Sequence, residues 1–163
     1  RIEDNFAKLV TPVDIFNQVD FLQTKIASLQ RKLNEVEQKS GYAKLSGEGI
    51  ILKVFDQKEQ NENIGIVHSS DIRTIIDELL IAGAEGIEVG GQRITATTAI
   101  RCVGPTILIN NKPISVNPIT IKAVGKSEVL KSSLDIINKQ LQNFGINLEI
   151  ERVKEVELNS VEQ

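Results

Sequence analysis

A heptad pattern of apolar residues near the start of the chain most constrains what this sequence can fold into. The spacing between successive apolar positions alternates strictly between four and three residues, which keeps one seam of a helix facing a partner helix. The seam residues are Ile15, Val19, Leu22, Ile26, Leu29, Leu33 and Val36. The pattern predicts a helix built for association, and it favours an assembly role over an enzymatic one.

Residue types along the seam favour a parallel two-stranded coiled coil. The a positions hold Val19, Ile26 and Leu33, and leucine is frequent at the d positions. The flanking e and g positions are polar with few charges, so charge does not settle the choice of partner. They are Gln18, Gln23, Lys25, Gln30, Lys32 and Glu37. One alternative stays open, in which the helix packs against its own domain, because the pattern spans only about three and a half heptads.

Composition argues against several classes of function. The 19 basic and 22 acidic residues give a net charge of -3, and the basic residues are scattered, which weighs against nucleic-acid binding. Aromatic residues make up 4% of the chain and Trp is absent, which disfavours a stacking surface for sugars or bases. The single cysteine, Cys102, excludes an internal disulfide and a cysteine-based zinc site. We expect neither a cofactor nor a metal.

No segment of the sequence approaches the roughly 18 apolar residues that span a bilayer. The chain begins at Arg1 and contains no methionine. We therefore expect a fragment or processed product, whose missing N-terminal segment could hold a signal or a membrane anchor.

The periodicity divides the chain into an arm (1–40), a domain (41–158) and a short tail (159–163). The arm helix is expected from about Pro12 to about Lys39. In the domain we expect one helix from Ser69 or Ser70 to Gly83 and another from near Ser127 to Phe144. Strands are expected over 50–55, 87–89, 94–103, 119–124 and 146–156, with a hairpin of 106–109 and 112–114 about Asn110-Asn111. This order predicts an α+β fold, a ferredoxin-like (βαββαβ) domain with an inserted hairpin.

Several specific stretches run through the central part of the chain. They are 68–73 (HSSDIR), 77–79 (DEL), 82–87 (AGAEGI), 91–104 (GQRITATTAIRCVG), Pro118 and 121–125 (IKAVG). Together they resemble the bacterial YlxW/YlxX-like domain of unknown function. The resemblance implies an N-terminal membrane segment, a coiled coil and then this domain outside the cytoplasm, with genes often near cell-division genes in Gram-positive bacteria. It implies no established activity.

Two arginines stand out in a stretch otherwise composed of Ile, Thr and Ala. In a single strand, alternation would place five residues on one face as a strip suited to a carboxylate, a phosphate or a partner's backbone. The strip is Arg93, Thr95, Thr97, Ala99 and Arg101. The structural alternative pairs arginine with an acid, and the available acids are Asp71, Asp77, Glu78 and Glu85. We expect Arg93 to be exposed after its glycine turn and Arg101 to be buried beside an acid.

His68 and Cys102 are the only residues of their types and could form a base and a nucleophile. Cys102, however, alternates with Ile100 on an apolar face, which predicts an inert core cysteine. His68 precedes two serines and is expected at the start of a helix, where it can bond the backbone. His68 and the nearby Asp71 remain candidates for contact with a ligand or partner.

The heptad seam and the lack of a catalytic residue set predict a non-enzymatic assembly or scaffolding module. The resemblance implies that this module is membrane-tethered, extracytoplasmic and linked to the cell envelope or cell division. Its expected partners are a second copy, bound through the coiled coil, and a protein of the cell envelope. The alternative is a small-ligand sensor that uses the strand face of Arg93 and Arg101. A cavity at that face would favour the sensor, and a flat surface would favour the interaction module.

Overall fold

A computed structural model describes residues 11–56, 67–116 and 118–161. Within these ranges the chain forms three helices and eight strands. The helices are α1 (Pro12–Ser40), α2 (Ser69–Ile81) and α3 (Ser127–Gln142). The strands are β1 (Leu45–Asp56), β2 (Gly86–Val89), β3 (Gln92–Arg93), β4 (Ile100–Val103), β5 (Thr106–Ile109), β6 (Lys112–Pro113), β7 (Ile119–Val124) and β8 (Ile146–Leu158). Helices with antiparallel sheets confirm the predicted α+β class.

Contacts divide the chain into two compact units, with the boundary between Val36 and Glu37. The first unit contains most of α1, whose start is capped locally. The hydroxyl of Thr11 accepts the N–H of Asp14 at 3.1 Å, and the Asp14 carboxylate accepts the N–H of Thr11 at 3.1 Å. The helix ends at Ser40, before Gly41 with φ +95°. These bounds confirm the predicted start and end of the arm helix.

The second unit is built on a five-stranded antiparallel sheet with strand order β3-β2-β7-β1-β8. Strand β1 lies between β7 and β8, so Leu52 pairs with Ile121 on one side and with Ile150 on the other. Its continuous apolar run suits this interior position, because both of its edges are occupied by strands. Gly49 permits close approach to β7, since a Cβ there would lie 1.9 Å from the carbonyl oxygen of Ala123.

Both domain helices pack on the same face of this sheet. Buried residues of α2 and α3 join one core with alternate residues of β1, including Ile50 and Leu52. The helices also touch each other, because the Ser133 hydroxyl donates to the Glu78 carbonyl at 3.4 Å. The buried helix residues follow the spacing of an amphipathic helix. They are Ile72, Ile75, Ile76 and Leu79 in α2 and Leu130, Leu134, Ile137 and Leu141 in α3.

A second, three-stranded antiparallel sheet has the order β4-β5-β6. Strands β5 and β6 form the predicted hairpin about Asn110 and Asn111, whose φ angles of 51° and 66° suit a tight turn. Ile107 and Ile109 of β5 are buried in the main core. The hairpin is therefore integrated into the domain.

The predicted long strand over 94–103 is wrong. Strand β3 ends at Arg93 and β4 begins at Ile100. Between them, the Thr95 N–H donates to the Thr98 hydroxyl at 2.7 Å, and the Thr98 N–H donates to the Thr95 carbonyl at 3.2 Å. Threonine hydroxyls that bond the local backbone compete with pairing between strands, and this turn separates β3 from β4.

A smaller apolar cluster lies on the other face of the five-stranded sheet and contains Leu45, Val124, Val156 and Leu158. The chain after β8 is hydrogen-bonded to the start of the domain. The Val161 N–H donates to the Gly41 carbonyl at 2.7 Å. Asn159 and Val161 of the predicted tail are therefore bonded to residues of the domain.

Candidate functional site

The heptad seam occupies one side of α1. Its seven residues keep between 46% (Val19) and 62% (Val36) of their surface exposed. No residue in the described part of α1 is buried. Off the seam, Phe16 and Phe21 are exposed as well. The helix therefore presents a continuous apolar stripe, a surface that normally lies against another helix.

The predicted strip of small residues and arginines is not assembled. Arg93 lies in β3 of the five-stranded sheet, whereas Arg101 lies in β4 of the three-stranded sheet. Thr95 and Thr97 belong to the turn between them, with their hydroxyls 3.3 Å apart. The turn at Thr95 breaks the alternation on which the strip depends. The pocket expected for the sensor alternative is therefore not formed by these residues.

Arg93 is buried, with 2% of its surface exposed, which corrects the prediction of an exposed residue. Its Nη1 donates to the carbonyls of Ala43 at 3.1 Å and Asn159 at 3.3 Å. Its Nη2 donates to the carbonyl of Gln38, in the last turn of α1. We call Arg93, Glu88 and these three carbonyls the Arg93 clamp. The clamp joins the end of α1, the connector to β1 and the segment after β8.

Glu88 supplies the acidic member of the clamp and is also buried, at 4% exposure. It pairs with Arg93 in the β2–β3 ladder, and its Oε2 accepts the N–H of Asn159 at 2.7 Å. Lys122 approaches its Oε1 at 3.9 Å. Burial lowers the pKa of Arg93, and the charge of Glu88 opposes that shift. Sequence reasoning missed Glu88, although a two-residue turn at Gly90-Gly91 places residues 88 and 93 opposite each other.

Two glycines make room for the clamp. A Cβ on Gly86 would lie 2.9 Å from Arg93 Nη2 and 2.7 Å from Leu45 Cδ2. A Cβ on Gly41 would lie 2.7 Å from Thr95 Cγ2, and Gly41 also has a positive φ. The Nε of Arg93 is buried and makes no hydrogen bond with the described residues. The clamp is thus closely packed, and it leaves no room for a side chain at Gly41 or Gly86.

Arg101 is exposed, and its guanidinium donates to the side-chain oxygen of Asn111. The prediction that it is buried beside an acid is wrong. Strand β4 is at the edge of the small sheet, and only Ile100 of its four residues is buried. An arginine there stays in water and needs no acidic partner.

His68 lies at the start of α2, as the sequence predicts. Its N–H donates to Asp71 Oδ2 at 2.8 Å, and its Nδ1 lies 3.7 Å from the same oxygen. Cys102 is exposed, which corrects the prediction of a core cysteine. Its Sγ accepts the N–H of Ser69 at 3.0 Å. His68 and Asp71 therefore stabilise the first turn of α2, and Cys102 sits beside that turn on an edge strand.

Sequence reasoning also missed a surface depression near the start of α3. It has a volume of about 560 Å³ and lies between β1, the loop before β2 and the loop after β7. Glu48, on its wall, accepts the Ser127 hydroxyl at 2.7 Å and the Ser127 N–H at 3.1 Å. These two bonds lower the pKa of Glu48. Glu48 thus accepts a backbone N–H at the start of α3, as a capping carboxylate does.

In the described ranges, no group of three or more His, Cys, Asp or Glu side chains is placed to hold a metal ion. None of the helices there combines the length and apolar character needed to cross a membrane.

Similar proteins share both sequence and fold with this chain. The UPF0749 protein YlxW of Bacillus subtilis is 32% identical over 128 residues, which is 74% of this chain and 55% of YlxW. The UPF0749 protein YlxX of the same organism is 24% identical over 126 residues, or 76% of this chain and 51% of YlxX. The chain thus spans about half the length of these relatives.

A crystal structure of an uncharacterized conserved protein from Mycobacterium tuberculosis has a similar fold. It superposes with a TM-score of 0.71 over 81% of this chain and 92% of that one, at 20% identity. The family model described as a bacterial protein of unknown function (DUF881) matches residues 32–163. The resemblance to YlxW/YlxX-like domains is confirmed, and the chain belongs to the DUF881 family of bacterial proteins of unknown function.

Proposed function

We propose that this chain is a non-enzymatic assembly module that associates through the α1 seam. The exposed heptad seam carries the proposal. A helix of 29 residues extends about 43 Å, and its apolar stripe runs along most of that length. A stripe of this size, left in water, marks an interaction surface in most soluble proteins.

The edge of the five-stranded sheet at β8 is a second extended surface, but its charged residues make it less suited to association than the α1 seam. Strand β8 lies at the end of the sheet order, so one of its edges pairs with none of the strands in the described ranges. Charged, exposed residues along an edge strand discourage addition of another strand. They are Glu149, Glu151, Arg152, Lys154, Glu155 and Glu157. Antiparallel self-pairing would oppose residues of the same face and bring like charges together, such as Glu151 with Glu151.

The Arg93 clamp links the last turn of α1 to the sheet. Gln38 is held by Arg93, and the Ala43 N–H donates to the Glu37 carbonyl at 3.1 Å. The end of the helix is therefore fastened to the sheet domain. These bonds hold Glu37 and Gln38, the part of α1 that belongs to the second unit.

We further propose a ferredoxin-like topology for the sheet domain and a membrane-anchored, extracytoplasmic location. Strands β1 and β2 flank β7, and β7 and β8 flank β1, which supports a split βαβ arrangement of the ferredoxin-like kind. The family resemblance supports a membrane anchor outside this sequence, an extracytoplasmic domain and a partner in the cell envelope, with a link to cell division. Protease added to intact protoplasts should digest the full-length protein if the domain is outside, and protection until lysis would contradict that location.

Light scattering on the whole chain tests the seam directly. The double substitution Leu22→Ala/Leu29→Ala should reduce the measured mass to that of one chain, because both residues are at d positions. Phe21→Ala is the control, since Phe21 is also an exposed apolar residue of α1 but lies off the seam. A wild-type chain that stays monomeric at high concentration, or equal effects of the two changes, would overturn the proposal.

A further inference from the structure

We propose that the seam takes a second copy of this chain, aligned in parallel and in register. This inference rests on the proposed function and adds the orientation of the partner. It follows from the number of apolar layers and from the lysines and glutamate beside them. All of these residues lie on the single helix Pro12–Ser40.

The apolar layers match best in the parallel arrangement. Parallel helices in register pair each seam residue with its own copy, so all seven layers are apolar. In an antiparallel coil each a position faces a d position of the partner. The seam has three a and four d positions, so one residue is left without an apolar partner. That residue is Val36 opposite Pro12 in one register, or Ile15 opposite Ser40 in the other.

Charges beside the seam attract in the parallel arrangement. A g residue there faces the e residue five positions later on the partner. Lys32 therefore faces Glu37 of the partner chain, and the symmetry of the dimer repeats this pair. The other pairs are neutral or singly charged, namely Gln18 with Gln23 and Lys25 with Gln30.

Charges repel in both antiparallel registers. Antiparallel helices bring g positions against g positions. In the first register Lys25 meets Lys25 of the partner chain. In the second, Lys25 meets Lys32 of the partner chain, and this contact occurs twice. The parallel orientation thus gains the attraction between Lys32 and Glu37, whereas each antiparallel register brings lysines together, which disfavours the antiparallel assembly.

A parallel coil has a direct consequence for display of the domain. Both chains leave the coil at the same end, after Ser40, and each domain is fastened there by its own Arg93 clamp. Two domains held at one end present two copies of the same surface. A partner with repeated sites would then be bound with a high effective concentration.

Charge substitutions on the whole chain test the orientation. Lys32→Glu and Glu37→Lys should each weaken the homodimer about ten-fold, because two attractive contacts become repulsive. An equimolar mixture of the two variants should restore wild-type affinity, since the heterodimer regains both pairs. Arg31→Glu is the control: it makes the same charge change at an f position, away from the partner, and should leave the dissociation constant unchanged. In an antiparallel coil, Lys32→Glu would leave binding unchanged or tighten it.

Cysteine crosslinking gives a second measurement that does not depend on these charges. In a Cys102→Ser background, Val19→Cys chains should form a disulfide with themselves in a redox buffer if the coil is parallel. An antiparallel coil would instead crosslink Val19→Cys with Leu29→Cys or with Val36→Cys, and only in mixtures. Crosslinking only in mixtures, or a trimeric mass, would overturn the inference while leaving the assembly function intact. A monomeric wild type at all concentrations would overturn the assembly function itself.

Discussion

Nη1 of Arg93 lies 3.1 Å from the carbonyl oxygen of Ala43, a residue that precedes it by 50 positions. The same guanidinium reaches carbonyls of Gln38 and Asn159. One side chain therefore holds together the helix end, the connector and the segment after the last strand. A planar guanidinium with several donors is suited to this task, because it can bond separate acceptors at once.

The first prediction separates the two arginines of the central stretch. Arg93→Ala should lower the free energy of unfolding by about 3–5 kcal/mol, because it removes the cation beside the buried Glu88 and three hydrogen bonds to backbone carbonyls. Arg101→Ala should change it by less than about 0.5 kcal/mol, since Arg101 is exposed. Urea unfolding of both variants measures the difference. Equal effects would contradict the clamp.

The second prediction compares two glycines of β1. Gly49→Ala should destabilise the domain by about 3 kcal/mol, because its Cβ would lie 1.9 Å from the backbone oxygen of Ala123 and the strands must separate. Gly47→Ala should stay within about 1 kcal/mol of wild type, as its Cβ meets only a methyl group of Val124 at 3.3 Å. Both changes restrict the unfolded chain equally. Thermal unfolding of the pair should therefore report the contact, and a tolerated Gly49→Ala would contradict the register of β1 and β7.

The third prediction concerns acid stability. The folded-state pKa of Glu48 is lowered by the Ser127 hydroxyl and then by its N–H, so the ionised form is bound more tightly in the folded state. Its contribution is present above the unfolded pKa of about 4.5 and is lost as the pH falls through the lower folded pKa. Glu48→Gln should therefore be less stable than wild type at neutral pH and nearly equal to it in strong acid. Glu151→Gln, on the same sheet, serves as the control. A constant difference across the pH range would contradict the assignment.

The fourth prediction uses the only thiol. Cys102 is exposed on an edge strand, so a chromogenic disulfide reagent should label one thiol per chain in native buffer. Fully unfolded protein provides the reference for complete labelling. Labelling that requires denaturant would show that the thiol is buried, as the apolar pattern alone predicts.

Local patterns were enough to locate most elements of this fold. The bounds of α1 follow from Pro12 near its first turn and a glycine after its end, both of which act within a few residues. The hairpin at Asn110 and Asn111 follows from two residues that tolerate positive φ. The apolar spacing of α2 and α3 identifies their buried faces, because the helical period alone sets which residues share a side.

The same patterns failed where a local hydrogen bond ended a strand or where a distant segment covered a side chain. The Thr98 hydroxyl accepts the N–H of Thr95 and so breaks the strand predicted over 94–103. The strand propensity of β-branched residues takes no account of such a bond. That break moves Cys102 and Arg101 onto an exposed edge strand. The alternation of buried and exposed residues holds only within an unbroken strand. Because the turn at Thr95–Thr98 was not predicted, the predicted environments of Arg101 and Cys102 were both wrong.

By itself, the sequence determined the heptad helix, the α+β class and the family, because these depend on periods and stretches of neighbouring residues. Only the tertiary structure decided that Arg93 is buried and Arg101 exposed. The acceptors of Arg93 belong to Gln38, Ala43 and Asn159, which are 55, 50 and 66 positions away. Whether a charge is buried depends on which distant segments cover it, and that is fixed only when the sheet, the helix end and the last segment come together.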